Sequence, residues 1–265
     1  MTNSGTRLDP LPGRPATARY VEHVMNMPIS LALRGRHTDD QAARTAWSAA
    51  MAEFHEVDRV FSTYRRDSYI SRLGRGEITV PECPAEVAEV LALGDQAEQE
   101  SAGAFSVWRP GRDGELMFDP SGVVKGWAVE RAAEPLRELG ETDFCLSAGG
   151  DMACQSVTPA AEPWRIGVED PADPTRIVAV IPIFTGAVAT SGTAHREQHL
   201  IDARTGQPPT GIASVTVVAR SLTWADIDAT AAYVQGRQAV RWLETRPERS
   251  ALVVWADGRT TTIHG

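Results

Sequence analysis

The sequence predicts an α+β fold, because segments with strand patterns and segments with helix patterns are mixed along the 265 residues without a strict βαβ rhythm. A second observation is the C-terminal stretch "SALVVWADGRTTTIHG", in which Asp257-Gly258 separates two strand-like runs and predicts a hairpin. Hydrophobic residues make up 42% of the chain and charged residues 23%, as in globular proteins that bury a sizeable core. The length suits one large domain or two small ones.

The first half of the chain contains the clearest helix. Before it, "YVEHVMNMPISLALRG" is apolar with a proline break, which predicts two short strands or one interrupted strand. The helix lies in "TDDQAARTAWSAAMAEFHEVDRVFS", and we expect Thr38 or Asp39 to cap it. Its apolar residues recur at steps of three and four, at Trp47, Met51, Phe54, Val57 and Phe61. The stretch "PAEVAEVLALGDQAEQESAG" predicts a second helix that ends at Gly103.

The second half alternates more quickly between elements. A helix is expected from about Val124 to Leu139, and Pro135 should kink it or end it early. The stretch "DFCLSAGG" predicts a short buried strand that ends in paired glycines. The patterns of "WRIGVED", "RIVAVIPIF", "GAVATSG" and "SVTVVARS" predict further strands, and "ADIDATAAYVQG" predicts a helix ended by glycine.

Composition excludes several classes of function. The net charge is -9, which argues against a general binder of nucleic acid or of acidic membranes, so neither is expected as a partner. The cysteines are Cys83, Cys145 and Cys154, an odd number without a CxxC pair, so a disulfide framework or a structural zinc site is not expected. A reducing, cytoplasmic setting fits this usage. We also expect no membrane span, and we expect residues 1–18 to be a flexible leader without a signal peptide.

The stretch "FDPSGVVKGWAVERA" places Lys125 beside glycines where a helix begins. A helix N-terminus offers free N–H groups and partial positive charge, and a lysine there completes an anion site that suits phosphate. The alternative is a plain joint between a loop and a helix, with a solvated lysine.

Two further stretches carry polar groups next to strands. In "SAGGD", Gly149 and Gly150 follow a strand and let a ligand approach the backbone closely, although a simple tight turn would have the same sequence. The stretch "ATSGTAHREQHLIDARTGQPP" contains Ser191, His199 and Asp202. His199 is a candidate general base with Asp202 to orient it, and the alternative is a surface histidine. A Ser-His-Asp hydrolase is disfavoured because Ser191 lacks a G-x-S-x-G turn.

The stretch "ADIDAT" places a carboxylate and a hydroxyl four residues apart. Asp226 and Thr230 therefore share one face of a helix, whereas Asp228 points elsewhere. Both are hard oxygen ligands that suit Mg²⁺ bound together with substrate phosphates. The alternative is that Asp226 caps the helix and Thr230 packs inside.

Together these stretches resemble the ApbE family, the FAD:protein FMN transferases, from about Met25 to Gly236. "FDPSGVVKGWAVERA" resembles the family's D-x-x-G-x-x-K-G-x-x-x-D segment, and "SAGGD" its GG-D/N strand end. "HLIDARTGQP" is similar to H-x-I-D-x-x-T-G-x-P, and "WADIDATAAYVQG" to AD-x-x-AT followed by glycine. The resemblance implies one domain over residues 19–265, built of mixed, largely antiparallel sheets with flanking helices.

The resemblance also implies roles for individual residues. Asp119, Gly122 and Lys125 would line the site of the FAD pyrophosphate and Mg²⁺, and the Gly122 carbonyl would join Asp226 and Thr230 on the metal. Tyr64 would stack on the adenine ring. The remaining positions assigned to the flavin site are Met25, Ala104, Phe105, Ser106, Gly149, Gly150, Ser191 and Leu200.

The implied reaction transfers FMN from FAD to a threonine or serine hydroxyl of an acceptor protein with an Asp-Gly…Thr/Ser motif, and AMP leaves. Lys125 and Mg²⁺ would neutralise the phosphates, His199 would act as base, and Asp202 would support it. Two alternatives stay open, an FAD pyrophosphatase and a protein that binds FAD without chemistry. Two positions depart from the family pattern, since Ser106 and Glu130 each stand where the family has aspartate.

Overall fold

The computed structural model describes residues 17–110, 116–158, 161–192, 202 and 204–265, and a broad antiparallel sheet organises them. The strands are β1 (Ala18–Val24), β2 (Met27–Gly35), β3 (Trp108–Pro110), β4 (Leu116–Phe118), β5 (Thr142–Ala148), β6 (Asp151–Gln155), β7 (Trp164–Asp170), β8 (Asp173–Ile183), β9 (Gly186–Gly192), β10 (Ile212–Ala219), β11 (Ser250–Trp255) and β12 (Thr260–Ile263). The helices are α1 (Gln41–Phe61), α2 (Tyr69–Gly74), α3 (Ala85–Glu100), α4 (Ser121–Arg137), α5 (Leu222–Gln235) and α6 (Ala239–Leu243). Short 3₁₀ turns span Val80–Glu82 and Gly236–Gln238.

The main sheet has the strand order β1-β2-β5-β6-β9-β10-β11-β12, and all its pairs are antiparallel. Strands β3 with β4 and β7 with β8 form two separate antiparallel ribbons. The predicted C-terminal hairpin is present as β11 and β12, with Gly258 at φ +83° in its turn. The α+β prediction is therefore confirmed, with an antiparallel sheet and flanking helices.

The two faces of the sheet are covered differently. Helices α1, α4 and α5 pack together and against one face, where they form the main core. The opposite face carries a smaller cluster beneath the β7–β8 ribbon, in which Cys154 and Val188 of the sheet meet Ile166 and Ile183 of the ribbon. Successive side chains of a strand point to opposite faces, so β6 and β9 serve both clusters.

Helix α5 and helix α4 approach each other unusually closely. Gly126 lies against the first turn of α5, where a Cβ atom would come within 2.6 Å of the Leu222 carbonyl oxygen. Only glycine fits at this contact, which brings the N-terminal parts of both helices to one place.

The observed ends of helices α1 and α4 differ from the predicted ones. Asp40, rather than Thr38 or Asp39, caps α1, because its Oδ1 accepts a hydrogen bond from the Ala43 N–H at 2.9 Å. Helix α4 begins at Ser121, three residues before the predicted start, and it continues through Pro135 to Arg137, two residues short of the predicted end at Leu139. Burial of Leu136 and its neighbours against the sheet outweighs the hydrogen bond that proline cannot make.

Among the described residues, no helix has both the length and the apolar character that crossing a membrane requires.

Candidate functional site

One cleft of about 550 Å³ opens where the turns of the sheet meet the N-terminal parts of α4 and α5. This volume lies in the range of small-molecule and cofactor sites. The structure brings to it every described residue that the sequence assigned to the flavin, the phosphates or the metal. They are Met25, Tyr64, Ala104, Phe105, Ser106, Asp119, Gly122, Lys125, Gly149, Gly150, Ser191, Asp226 and Thr230.

Two tight turns, one between β1 and β2 and one between β5 and β6, line the cleft. Val24 pairs with Met27, which leaves Met25 and Asn26 as a two-residue turn with φ values of +54° and +57°. A methionine in this left-handed region is uncommon, and such strained residues cluster at functional sites. Gly149 and Gly150 form the equivalent turn between β5 and β6, at φ +58° and +98°, where glycine fits without strain.

Lys125 lies between two buried carboxylates at the inner end of the cleft. Its Nζ contacts Asp151 Oδ2 and lies 3.3 Å from Asp226 Oδ1. Burial alone would lower the pKa of Lys125, but the two carboxylates outweigh that effect and raise the pKa, so the ammonium is charged. The lysine side chain keeps 25% of its surface exposed, which leaves it within reach of a ligand in the cleft.

Asp151 is the functional-site residue that the sequence reasoning missed. It is 2% exposed, and its Oδ1 accepts a hydrogen bond from the Thr190 N–H at 3.0 Å. The residue thereby joins β6 to β9 and holds the Lys125 ammonium with its other oxygen. A signal was available, because an acidic residue directly follows the paired glycines of "SAGGD".

Asp226 and Thr230 lie on the same face of α5, as their spacing predicts. Burial raises the pKa of Asp226 to about 7, against the lowering effect of Lys125. The Oδ2 atom of Asp226 is buried and has no hydrogen-bond partner among the described residues. The Thr230 hydroxyl lies 2.9 Å from the hydroxyl of Ser191. Asp226 does not cap the helix, because Ser221 holds that position.

These groups fit a hard divalent cation. A buried carboxylate oxygen without a partner and a nearby hydroxyl are ligands that Mg²⁺ accepts, and Gly122 lines the same cleft. No group of three or more His, Cys, Asp or Glu residues suited to a metal occurs among the described residues. The predicted set has one carbonyl, one carboxylate and one hydroxyl, so this finding does not test it.

The structure does not test the predicted base and its support. His199 and Leu200 lie outside the described residues, so their assignments stay predictions. Asp202 is described, but it is not among the residues that line the cleft. Its two oxygens accept hydrogen bonds from the Arg204 guanidinium, each at 2.8 Å. The support of His199 by Asp202 therefore also stays a prediction.

Ser106 and Glu130, the two residues that depart from the family pattern, each form hydrogen bonds with neighbouring residues. The Ser106 hydroxyl donates to Glu98 at 2.8 Å and accepts from the Trp108 N–H at 3.0 Å, which fixes the turn after Phe105. Glu130 accepts hydrogen bonds from the first residues of α5. Both residues stabilise local structure around the cleft, and Glu130 is not among the residues that line it.

The β7–β8 ribbon contributes a wall that the sequence did not predict. Gly167, Val168, Glu169 and Pro171 line the cleft near the turn of this ribbon. Tyr64 lies on another part of the rim, with 83% of its surface exposed. An exposed aromatic ring is available to stack on a planar ligand group.

Comparison with known proteins gives consistent matches. The model described as the ApbE family matches residues 25–108 and 110–253. The FAD:protein FMN transferase of Vibrio cholerae serotype O1 is 33% identical over 134 residues, which cover 47% of this chain and 40% of the relative. That of Haemophilus influenzae is 25% identical over 241 residues, which cover 68% of this chain and 70% of the relative.

A solved structure shares the fold over nearly the whole chain. The apo crystal structure of the Pseudomonas stutzeri flavinyl transferase ApbE superposes with a TM-score of 0.78 at 22% identity, covering 96% of this chain and 97% of that one. In sequence, the chain spans only 40% and 44% of the lengths of the Vibrio cholerae and Salmonella typhimurium relatives.

Proposed function

Because the chain belongs to the ApbE family, we propose that it is an FAD:protein FMN transferase that depends on Mg²⁺. It would move FMN from FAD to a threonine or serine hydroxyl of an acceptor protein and release AMP. The observation that carries the proposal is the grouping of Lys125, Asp226 and Thr230 at the inner end of one cleft. The names of the relatives support the same activity.

The phosphates of FAD are proposed to bind where these groups converge. Gly122, Asp226 and Thr230 would hold Mg²⁺, which supplies positive charge to the pyrophosphate oxygens when it is bound. Lys125 adds a fixed positive charge that stabilises AMP as the leaving group. The Asp151 carboxylate contacts the Lys125 ammonium, so the lysine charge is positioned before the substrate binds.

The remaining parts of FAD are proposed to follow the walls of the cleft. Tyr64 stacks on the adenine ring, and Met25 and the Ala104–Ser106 turn contact the rest of the molecule. The glycine turn at Gly149 and Gly150 lets the ligand approach the backbone.

The acceptor hydroxyl must lose a proton as it attacks the phosphorus of the FMN part. His199 is the proposed base, with Asp202 in support, and the acceptor is proposed to carry an Asp-Gly…Thr/Ser motif. The oxygen of the hydroxyl forms the new phosphoester bond, and the bond to AMP breaks. A nucleic-acid or membrane partner is not proposed, and the cytoplasmic location stays a prediction.

The test is an incubation of the purified protein with FAD, Mg²⁺ and a peptide that carries the Asp-Gly…Thr motif, followed by mass spectrometry. A peptide whose threonine is replaced by valine is the matched control. The proposal predicts that only the threonine peptide gains the mass of FMN minus water, and that AMP appears in equal amount. Free FMN and AMP with unmodified peptide would instead indicate a pyrophosphatase. Intact bound FAD would indicate a flavin carrier.

A further inference from the structure

Two cysteines face each other across neighbouring strands, away from the cleft. Cys145 of β5 and Cys154 of β6 are directly paired in the antiparallel register, and their sulfur atoms lie 3.6 Å apart. They lie on the sheet face beneath the β7–β8 ribbon, where Cys154 is 4% exposed and Cys145 is partly exposed. Nothing in the proposed transfer of FMN uses either thiol.

We propose that Cys145 and Cys154 form a redox-active pair that closes reversibly into a cross-strand disulfide when the protein meets a peroxide. Directly opposed residues of an antiparallel pair have Cα atoms about 4.5–5.5 Å apart. Disulfides span Cα distances of about 4.4–6.8 Å, so the bond needs no movement of the strands. The sulfur atoms have to approach by roughly 1.5 Å, which side-chain rotation can supply.

The surroundings divide the two thiols into an attacking and a resolving group. The Cys154 S–H donates to the Cys145 sulfur, and this hydrogen bond lowers the pKa of Cys145 against the opposing effect of burial. Arg19 and Arg34 lower the pKa of Cys145 further by their positive charge. The hydrogen bond and burial raise the pKa of Cys154. Cys145 is also the partly exposed member of the pair, whereas Cys154 is buried, so we assign Cys145 as the thiolate that reacts first.

The position of Arg34 beside this pair is fixed by its own contacts. Its guanidinium lies 3.7 Å from the centre of the Trp164 ring and 3.7 Å from Asp143. Its Nη2 also donates to the Glu162 carbonyl at 2.7 Å. A cation held in this way favours the thiolate form at both cysteines, because it lowers the pKa of Cys154 as well as that of Cys145.

The reaction balances with hydrogen peroxide as the oxidant. The Cys145 thiolate attacks one peroxide oxygen, so an S–O bond forms, the O–O bond breaks, and the departing hydroxide takes a proton to become water. Cys154 then attacks the sulfenic sulfur, so the S–S bond forms and the S–O bond breaks. The oxygen leaves as a second water with the Cys154 proton. Two electrons pass from the sulfurs to the peroxide.

The experiment uses the full chain with Cys83→Ser, which removes the remaining cysteine. After treatment with a few equivalents of hydrogen peroxide, the proposal predicts a mass loss of about 2 Da, for two hydrogens, and a cross-linked peptide that contains both cysteines. Thiols accessible to a maleimide after unfolding should fall from two to none. Dithiothreitol should restore both.

Single variants test the order of the two steps. Cys154→Ala should stop at the sulfenic acid, so dimedone should label Cys145. Cys145→Ala should show no labelling of Cys154 under the same conditions. Circular dichroism of each variant establishes that it is folded. If Cys154→Ala does not fold, Cys154→Ser replaces it in the same experiment.

Three results would overturn the proposal. The first is native protein that retains both thiols at peroxide concentrations that oxidise the same protein in urea. The second is cross-linking only between molecules. The third is dimedone labelling of Cys154 in the Cys145→Ala variant that is as fast as the labelling of Cys145 in the Cys154→Ala variant. That result would exclude the assigned roles.

Discussion

At the scale of single residues, the charges around Lys125 support the proposal that a divalent cation and then a polyphosphate bind at this site. Asp151 and Asp226 together carry one negative charge more than Lys125 when both are ionised. A divalent cation reverses the sign of this group, and a pyrophosphate then meets a positive site. The raised pKa of Asp226 reflects the burial of its carboxylate, which outweighs the opposing effect of the Lys125 charge.

Asp226→Asn should separate catalysis from stability. The amide keeps the shape but removes the charge, so we expect FAD cleavage to fall by roughly 10²–10³-fold, the range for loss of one major electrostatic group. Thermal stability should stay equal or rise, because a buried charge is removed. Steady-state kinetics and thermal unfolding measure both quantities.

The control for this variant lies two residues away. Asp228 is also buried, but it accepts a hydrogen bond from Arg249 at 2.8 Å and lies 3.0 Å from Arg246. Asp228→Asn should lower stability and leave FAD chemistry largely intact. Equal loss of activity in both variants would contradict the assignment of Asp226 to the metal.

The Asp202–Arg204 ion pair should make the free energy of unfolding fall at acidic pH. The hydrogen bonds from Arg204 lower the pKa of Asp202 below the ordinary value of 3.8. The stabilisation is therefore present above that value and is lost as the pH falls through and below it. In urea unfolding between pH 6 and pH 3, Arg204→Met should lose less stability than the parent protein. Parallel curves would show that the pair adds nothing measurable.

At the scale of elements, Glu130 connects the two helices that carry the site. Its carboxylate accepts hydrogen bonds from Ser221 Oγ and Leu222 N–H at 2.9 Å and from Thr223 Oγ1 at 2.7 Å. Side-chain bonds to free N–H groups stabilise a helix start. This glutamate on α4 therefore supplements Ser221, the N-cap residue of α5, at the start of that helix.

Glu130→Ala should lower the free energy of unfolding by about 1–3 kcal/mol, because a capping hydrogen bond is lost and polar groups are left without partners. Urea denaturation measures this loss. Glu134→Ala is the matched control, since Glu134 lies one turn later on α4 with 66% of its side chain exposed. The cap assignment would be wrong if both variants lost the same amount.

Much of the fold and of the cleft could be predicted from local patterns. The paired glycines, the Asp226–Thr230 spacing and the Asp257-Gly258 hairpin each specify geometry within a few residues. The wall formed by β7 and β8 could not be predicted. Its position depends on packing between the ribbon and one face of the main sheet, and local sequence patterns do not specify that long-range contact. The exact ends of the helix around Pro135 could not be predicted, because burial against the sheet contributes to them as well as local propensity.

At the scale of the whole molecule, ligands should stabilise the chain through the cleft. A ligand present at about 100 times its dissociation constant adds about 2.7 kcal/mol, and each kcal/mol shifts the midpoint by about 2–4 °C in a protein of this size. FAD with Mg²⁺ should therefore raise the melting temperature by roughly 5 °C or more, and FAD with EDTA by clearly less. Equal shifts with and without the metal would argue against a shared site.

The contact between Gly126 and the Leu222 carbonyl has a consequence for motion during a reaction cycle. Because the two main chains are in contact there, α4 and α5 cannot move closer together. The contact also limits how closely the backbones that carry Lys125 and Asp226 can approach each other. Any closure around a substrate would then involve other parts of the cleft wall, such as the β7–β8 ribbon or the turn at Tyr64. In the proposed function, Lys125 and Asp226 therefore act from a part of the cleft whose two helices cannot close further on a substrate.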